Sequence, residues 1–200
     1  MPEHSGTHID ALSHQAEDMT LHGGVRIDSS VQTSAGFRKH GIETMAPLIA
    51  RGVLLDVAGS KRLPANHLIS VDELQAAGAE IREGDVVLVR TGWGAAWNEP
   101  EEYLTAAGVS AEGSQWLADR KVRAVGADNM AFDTVESFDK KLGVSLPGHL
   151  ILLVRSGIPI IENLNLEELA AAGVREFAFV CLPLKMRGVT GSPVRPLALA

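Results

Sequence analysis

A series of short apolar runs, none long enough to cross a bilayer, constrains the fold of this 200-residue chain more than any other feature. RGVLLDVAG (51–59) is β-branched and Leu-rich and closes on Gly, the pattern of a buried strand. GDVVLVRTGWG (84–94) reads the same way, and VRAVGADN (122–129), HLILLV (149–154), PIIENL (159–164) and FAFVCLPL (177–184) add further strands. With an extended segment near the N-terminus, the expected sheet has about seven strands. Helix starts separate the runs. Ser70 precedes VDELQAAGA with Glu73 three positions on, a capping-box pattern, and Gly78 offers a stop. Ser110 precedes AEGSQWLADR, in which Trp116 and Leu117 are expected to face the core. Asn165 precedes LEELAAAG with Glu168 three positions on, and Gly173 ends it. The alternation predicts a mixed α/β fold, and with no repeat or linker-like tract, residues 1–200 are expected to form a single domain.

Charge and cysteine content narrow the partners. A formal charge of -7 argues against a surface that tracks phosphates, since nucleic-acid binders concentrate Lys and Arg in a basic stripe. No membrane span and no signal-peptide pattern is expected, and Cys181, alone and inside an apolar run, reads as a buried inert thiol. A cytoplasmic protein with a small-molecule or protein partner is the expectation.

The chemistry concentrates at the start. HSGTHIDALSH (4–14) holds three of the seven histidines and one aspartate, with His4, His8, Asp10 and His14 all on even positions. In an extended segment that parity turns them to one side, whereas a helix would rotate Asp10 away. Four residues of straight strand separate alpha carbons by about 13 Å, near the limit for two imidazoles sharing one ion, so a bend at Gly6 is expected. Two imidazoles and a carboxylate form a catalytic set for zinc, or for manganese when more oxygen ligands join. Such a set suits amide or ester hydrolysis by activated water. His14 is placed to act as general acid/base or to bind a second ion.

HSGTHIDALSH resembles the HxGTHxDxPxH signature of the cyclase family of metal-dependent hydrolases, which includes kynurenine formamidases and isatin hydrolases. PGHLILLVRSGIPIIENLNLEELA (147–170) and PLKMRGVTGSPVRPLAL (183–199) resemble its second and C-terminal blocks. The resemblance implies a swivelling β/β/α cyclase-like domain with a mixed sheet, a homo-oligomer (dimer or tetramer), and hydrolysis of an amide in a small aromatic compound. It also implies metal ligation of one or two divalent ions by His4, His8, Asp10, His149 and Glu162, with Asp10 bridging and His14 catalytic. Ala11 and Leu12 depart from the signature and lean toward the isatin-hydrolase-like relatives. The family carries several tens of residues before this motif, so the chain is expected to be N-terminally shortened. The alternatives are a hydrolase of another small ester, lactone or amide, and a non-catalytic metal-binding oligomer subunit.

Outside these blocks, His22, His40 and His67 fall in polar, loop-like stretches and are expected to be exposed. Trp93 and Trp97 flank a Gly-rich turn, where lining a pocket for a planar substrate competes with packing. Asp128 and Asn129 end an expected strand, either as site residues or as turn caps. Lys185 and Arg195 are candidates for an ion pair, a subunit contact or substrate binding.

Overall fold

The computed structural model describes residues 2–200. At its centre is an eight-stranded mixed sheet. In chain order the strands are β1 (His8–Asp10), β2 (Leu48–Asp56), β3 (Val86–Arg90), β4 (Ala124–Ala127), β5 (Ile160–Glu162), β6 (Glu176–Cys181), β7 (Gly191–Pro193) and β8 (Leu197–Leu199). In space they run β7-β1-β5-β4-β3-β2-β6-β8. Strands β2 to β5 are parallel neighbours, and antiparallel strands extend the block on both sides.

The parallel block explains the unbroken apolar runs, because it is dry on both faces. Val53, Leu55, Val87, Val89, Val125 and Ile160 enter one core, while Leu54, Val86, Leu88 and Ile161 enter the other. Helices α1 (Val71–Ala76) and α2 (Ala111–Asp119) cover the first core with Leu74 and Leu117. Their starts follow the sequence. Ser70 Oγ accepts from the Glu73 N–H at 3.3 Å while Glu73 Oε2 accepts from the Ser70 N–H at 2.8 Å, and Ser110 Oγ accepts from the Gly113 N–H at 3.0 Å. Leu117 is fully buried, but Trp116 is only partly so and stacks under Arg120 at 3.7 Å.

HLILLV is not a strand. Residues Pro147–His149 form a turn of α-helix, here α3, and Leu150–Ser156 continue it as a π-helix with Leu150 to Val154 all buried. A run buried on every side carries no periodicity that separates helix from strand, so the flanks decide. Leu146 at φ +54°, Pro147 in the first turn and Gly157 at φ +69° bracket the segment as helix boundaries do. The helix after β5, α4 (Glu167–Ala171), starts one residue later than expected. Asn165 is not its cap but accepts from the Glu167 N–H at 3.3 Å.

The expected exposure of three histidines also fails. His22, His40 and His67 are half-buried and bonded to the Val154 carbonyl, the His22 carbonyl and Glu73, respectively. Cys181 is buried, which pushes its thiol pKa up to about 12, the inert state expected. Among the described residues no helix is long and apolar enough to cross a membrane.

The two helix starts make a test. Ser70→Ala removes a capping box and should lower unfolding free energy by about 1 kcal/mol, whereas Asn165→Ala removes one long contact and should cost less than about 0.5 kcal/mol. Urea denaturation of both variants checks the difference; equal losses would contradict the cap assignment.

Candidate metal centre

Sheet register builds the first half of the site. His8 lies directly opposite Glu162 in the antiparallel pairing of β1 with β5, so the two side chains share a face. Between His8 and Asp10, Ile9 turns the other way into the second core, which fixes the outward direction of its neighbours. His4 lies outside the strand. Gly6 at φ +65° bends the chain, as the spacing required, and returns the His4 ring to within 2.8 Å of Asp10.

The helical segment supplies the other half. Asp133 accepts from the Gly148 N–H (2.6 Å), a free donor at the start of α3, and from the His149 N–H (3.1 Å), which it shares with the Leu146 carbonyl. The same carboxylate accepts from His149 Nδ1 at 2.9 Å. Gly148 is required there, because a Cβ would sit 2.8 Å from both Asp133 oxygens.

All six sequence-selected residues thus come together. His8 Nε2 lies 3.2 Å from Glu162 Oε2 and 3.5 Å from Asp10 Oδ1. His149 Nε2 lies 3.3 Å from Glu162 Oε1 and 3.7 Å from Asp10 Oδ2. His14 faces His4 at 4.2 Å and His149 at 5.8 Å between ring centroids. Among the described residues, two sets have ligand atoms within 4.8 Å of one another, His4 with His8 and Asp10, and Asp10 with His14 and His149.

Each of three imidazoles has one nitrogen engaged away from the centre: His4 Nε2 with Thr190 Oγ1, His8 Nδ1 with the Gly6 carbonyl, and His149 Nδ1 with Asp133. A carbonyl only accepts, so His8 carries a proton on Nδ1 and turns Nε2 toward the centre. Asp10 is fully buried, and neither of its oxygens has a hydrogen-bond partner; Glu162 Oε1 lacks one too. His4 Nδ1 comes within 2.8 Å of Asp10 Oδ1. Imidazole nitrogens and carboxylate oxygens thus converge on one point, which is the donor set of a divalent cation site.

Electrostatics agree. Burial alone would depress the His149 imidazole, but Asp133 and Glu162 on either side lift it well above its usual value. His8 is raised as well, with burial outweighed by Glu162 and Asp10. Burial would raise Asp10, but His4 and the charges of His14, His149 and His8 hold it below the carboxylate range. His14 goes the other way: burial lowers it, and the Asp10 charge does not restore it.

Residues 1–134 match the sequence model of the family Cyclase, described as "Putative cyclase". The chain belongs to the cyclase family. Cyclase-like protein 3 of Oryza sativa subsp. japonica is 29% identical over 201 residues, covering 98% of this chain and 62% of that protein. An isatin hydrolase of Roseibium aggregatum is 26% identical over 207 residues, covering 98% of this chain and 72% of its own length. A crystal structure described as a novel cyclase superposes with a TM-score of 0.88 at 30% identity, over 100% of this chain and 70% of that one. The fold is the swivelling β/β/α arrangement of cyclases. The chain spans little more than six tenths of the first of these relatives.

Other candidates sort by their partners in this cyclase fold. Asp128 accepts from the Thr91 N–H and hydroxyl (2.7 Å each) and from the Gly92 and Gly94 N–H groups, so it is a turn cap. Asn129 braces the 129–133 loop. Trp93 is buried and donates to the Leu63 carbonyl, whereas Trp97 is 49% exposed and lines a cavity beside His4. Lys185 donates to the Glu43 and Met45 carbonyls. Arg195 lies exposed. Sequence reasoning missed Asp133, whose only signal was a carboxylate beyond a strand end, and Asn163, which follows Glu162.

Asp133→Asn places an amide donor against two N–H groups. It should lower unfolding free energy by about 3 kcal/mol in a urea titration; a loss under about 0.5 kcal/mol would show that the carboxylate does not hold the helix start.

Proposed function

We propose that this chain is a metal-dependent hydrolase that cleaves an amide bond of a small aromatic compound, of the isatin lactam or N-formylkynurenine type. The observation that carries the reading is the buried Asp10 carboxylate, without a hydrogen-bond donor and ringed by imidazole nitrogens whose opposite sides are already engaged. His4, His8 and Asp10 would hold one zinc or manganese ion, and His149 and Glu162, with Asp10 shared, a second. A bound divalent ion supplies the positive charge that polarises a carbonyl and acidifies water.

The chain's own groups do the rest. His14, half-buried, makes no side-chain hydrogen bond among the described residues and has its pKa lowered by burial, so it is a free base near neutrality. It accepts the proton of the attacking water and returns it to the leaving nitrogen. Beside His4, a cavity of about 320 Å³ lined by Trp97, Pro100, Tyr103, Leu104 and Met130 offers an apolar wall to an aromatic ring. A second cavity of about 340 Å³, walled by Leu12, His40, Met45 and Arg123, has none of the six site residues in its lining. Likeness to the Roseibium aggregatum isatin hydrolase supports a cyclic aromatic amide as substrate.

Assembly as a homo-oligomer belongs to the same proposal. Ile49, Val180 and Leu197 form a cross-strand row, and Ile49 and Leu199 are 65% and 57% exposed. Light scattering at micromolar concentration should give a multiple of 21.3 kDa; a monomer would remove this part.

Purified protein should retain zinc or manganese, and chelation should abolish hydrolysis of isatin or N-formylkynurenine. Turnover untouched by metal removal would overturn the reading. His14→Ala should keep the metal and lose about 10²- to 10⁴-fold in kcat; an unchanged kcat would remove the acid/base role. Because His8 and His149 are raised in the metal-free chain, binding must expel protons. Apparent zinc affinity should therefore climb with pH through and above the ordinary imidazole range, and calorimetry in buffers of different ionisation enthalpy counts the protons released.

A further inference from the structure

We infer that the Asn163 side chain is a positioning residue: by holding the Gly6 carbonyl it fixes the bend that brings His4 to Asp10 and the tautomer with which His8 faces the centre. The inference rests on the metal-binding reading above.

The Gly6 carbonyl accepts from His8 Nδ1 at 2.8 Å and from Asn163 Nδ2 at 3.1 Å, so both of its lone pairs are used. Asn163 is itself oriented: its Oδ1 shares the single proton of the Tyr103 hydroxyl (2.9 Å) with the Asp128 carbonyl (3.1 Å), which leaves the amide nitrogen toward Gly6. Tyr103 also lines the cavity beside His4. A continuous set of bonds therefore runs from the substrate wall through Asn163 and Gly6 to a metal-facing imidazole. Such outer contacts orient metal-binding rings and set their basicity.

Asn163 sits at φ +55°, a conformation that asparagine tolerates better than most residues, so a bland reading is that the turn alone selects it. The two readings part at the side chain. The main chain of Asn163 is held by its own bonds, its N–H donating to the Asn129 carbonyl at 2.8 Å and its carbonyl accepting from Thr7 Oγ1 at 2.6 Å. Glycine keeps those bonds and adopts positive φ freely, so Asn163→Gly deletes the amide and leaves the turn.

The test compares wild type, Asn163→Gly and Tyr103→Phe by chelator competition for zinc, by the visible absorption spectrum of the cobalt-loaded protein, and by thermal unfolding of the metal-free chain. Asn163→Gly should unfold cooperatively within a few degrees of wild type, bind zinc about 10- to 100-fold more weakly, and show an altered cobalt spectrum. Tyr103→Phe should shift affinity the same way by less. Wild-type affinity and spectrum in both variants overturn the positioning role while the metal reading stands, and a wild type that binds neither zinc nor cobalt overturns both. If Asn163→Gly does not fold, Tyr103→Phe decides alone, with unchanged affinity and spectrum counting against the role.

Discussion

Two aspartates in this chain are fully buried at strand ends, and the contrast between them organises the molecule. Asp128 receives four donors from residues 91–94 and closes a turn. Asp10, equally buried, receives none. An ionised carboxylate taken out of water without donors or a counter-charge costs several kcal/mol, and no arrangement of the surrounding apolar core lowers that cost. Only positive charge among the imidazoles offsets it, as protons in the metal-free chain or as a cation held by the same nitrogens. Fold stability and site occupancy are therefore linked, since whatever binds the folded site and not the open chain adds its binding free energy to folding.

The precision of the site comes from packing one residue away. Ile9 and Ile161, both fully buried, lock the directions of His8, Asp10 and Glu162 through strand alternation. On the helical side, Leu152 and Leu153 anchor the segment in the opposite core while Asp133 fixes its first turn and the His149 ring together. The sheet-borne and helix-borne site residues meet at the Asp10 and Glu162 carboxylates, so an error in either core would shift a ligand.

Much of this was legible in the chain. The even spacing of His4, His8 and Asp10 with a bend at Gly6 is a local pattern, and so are the buried strands and the caps at Ser70 and Ser110. Other features are not local. HLILLV was misread because a segment surrounded by core has no polar face to reveal its period, although Pro147 and Gly157 bracket it as helix boundaries. Strands β7 and β8 are three residues each and broken by proline neighbours, so they exist only as partners of β1 and β6. Asp133 acquires its function from a helix start 15 residues away, a distance that no motif spacing encodes.

Three of the eight non-glycine residues at positive φ among the described residues lie beside the site. Phe132 (φ +56°) precedes Asp133, Leu146 (φ +54°) precedes the turn bearing His149, and Asn163 (φ +55°) follows Glu162. A left-handed conformation costs a side chain such as Phe or Leu about 1–2 kcal/mol, and Leu146 is disfavoured further by the proline after it. Surrounding bonds hold these angles: Asn129 clamps the Phe132 N–H and carbonyl, and the Leu146 carbonyl accepts from His149. The strained residues here are not the ones facing the centre but their sequence neighbours. At these three positions some stability is given up next to converging carboxylates and imidazoles, and the bonds around them are what hold the strained turns in place.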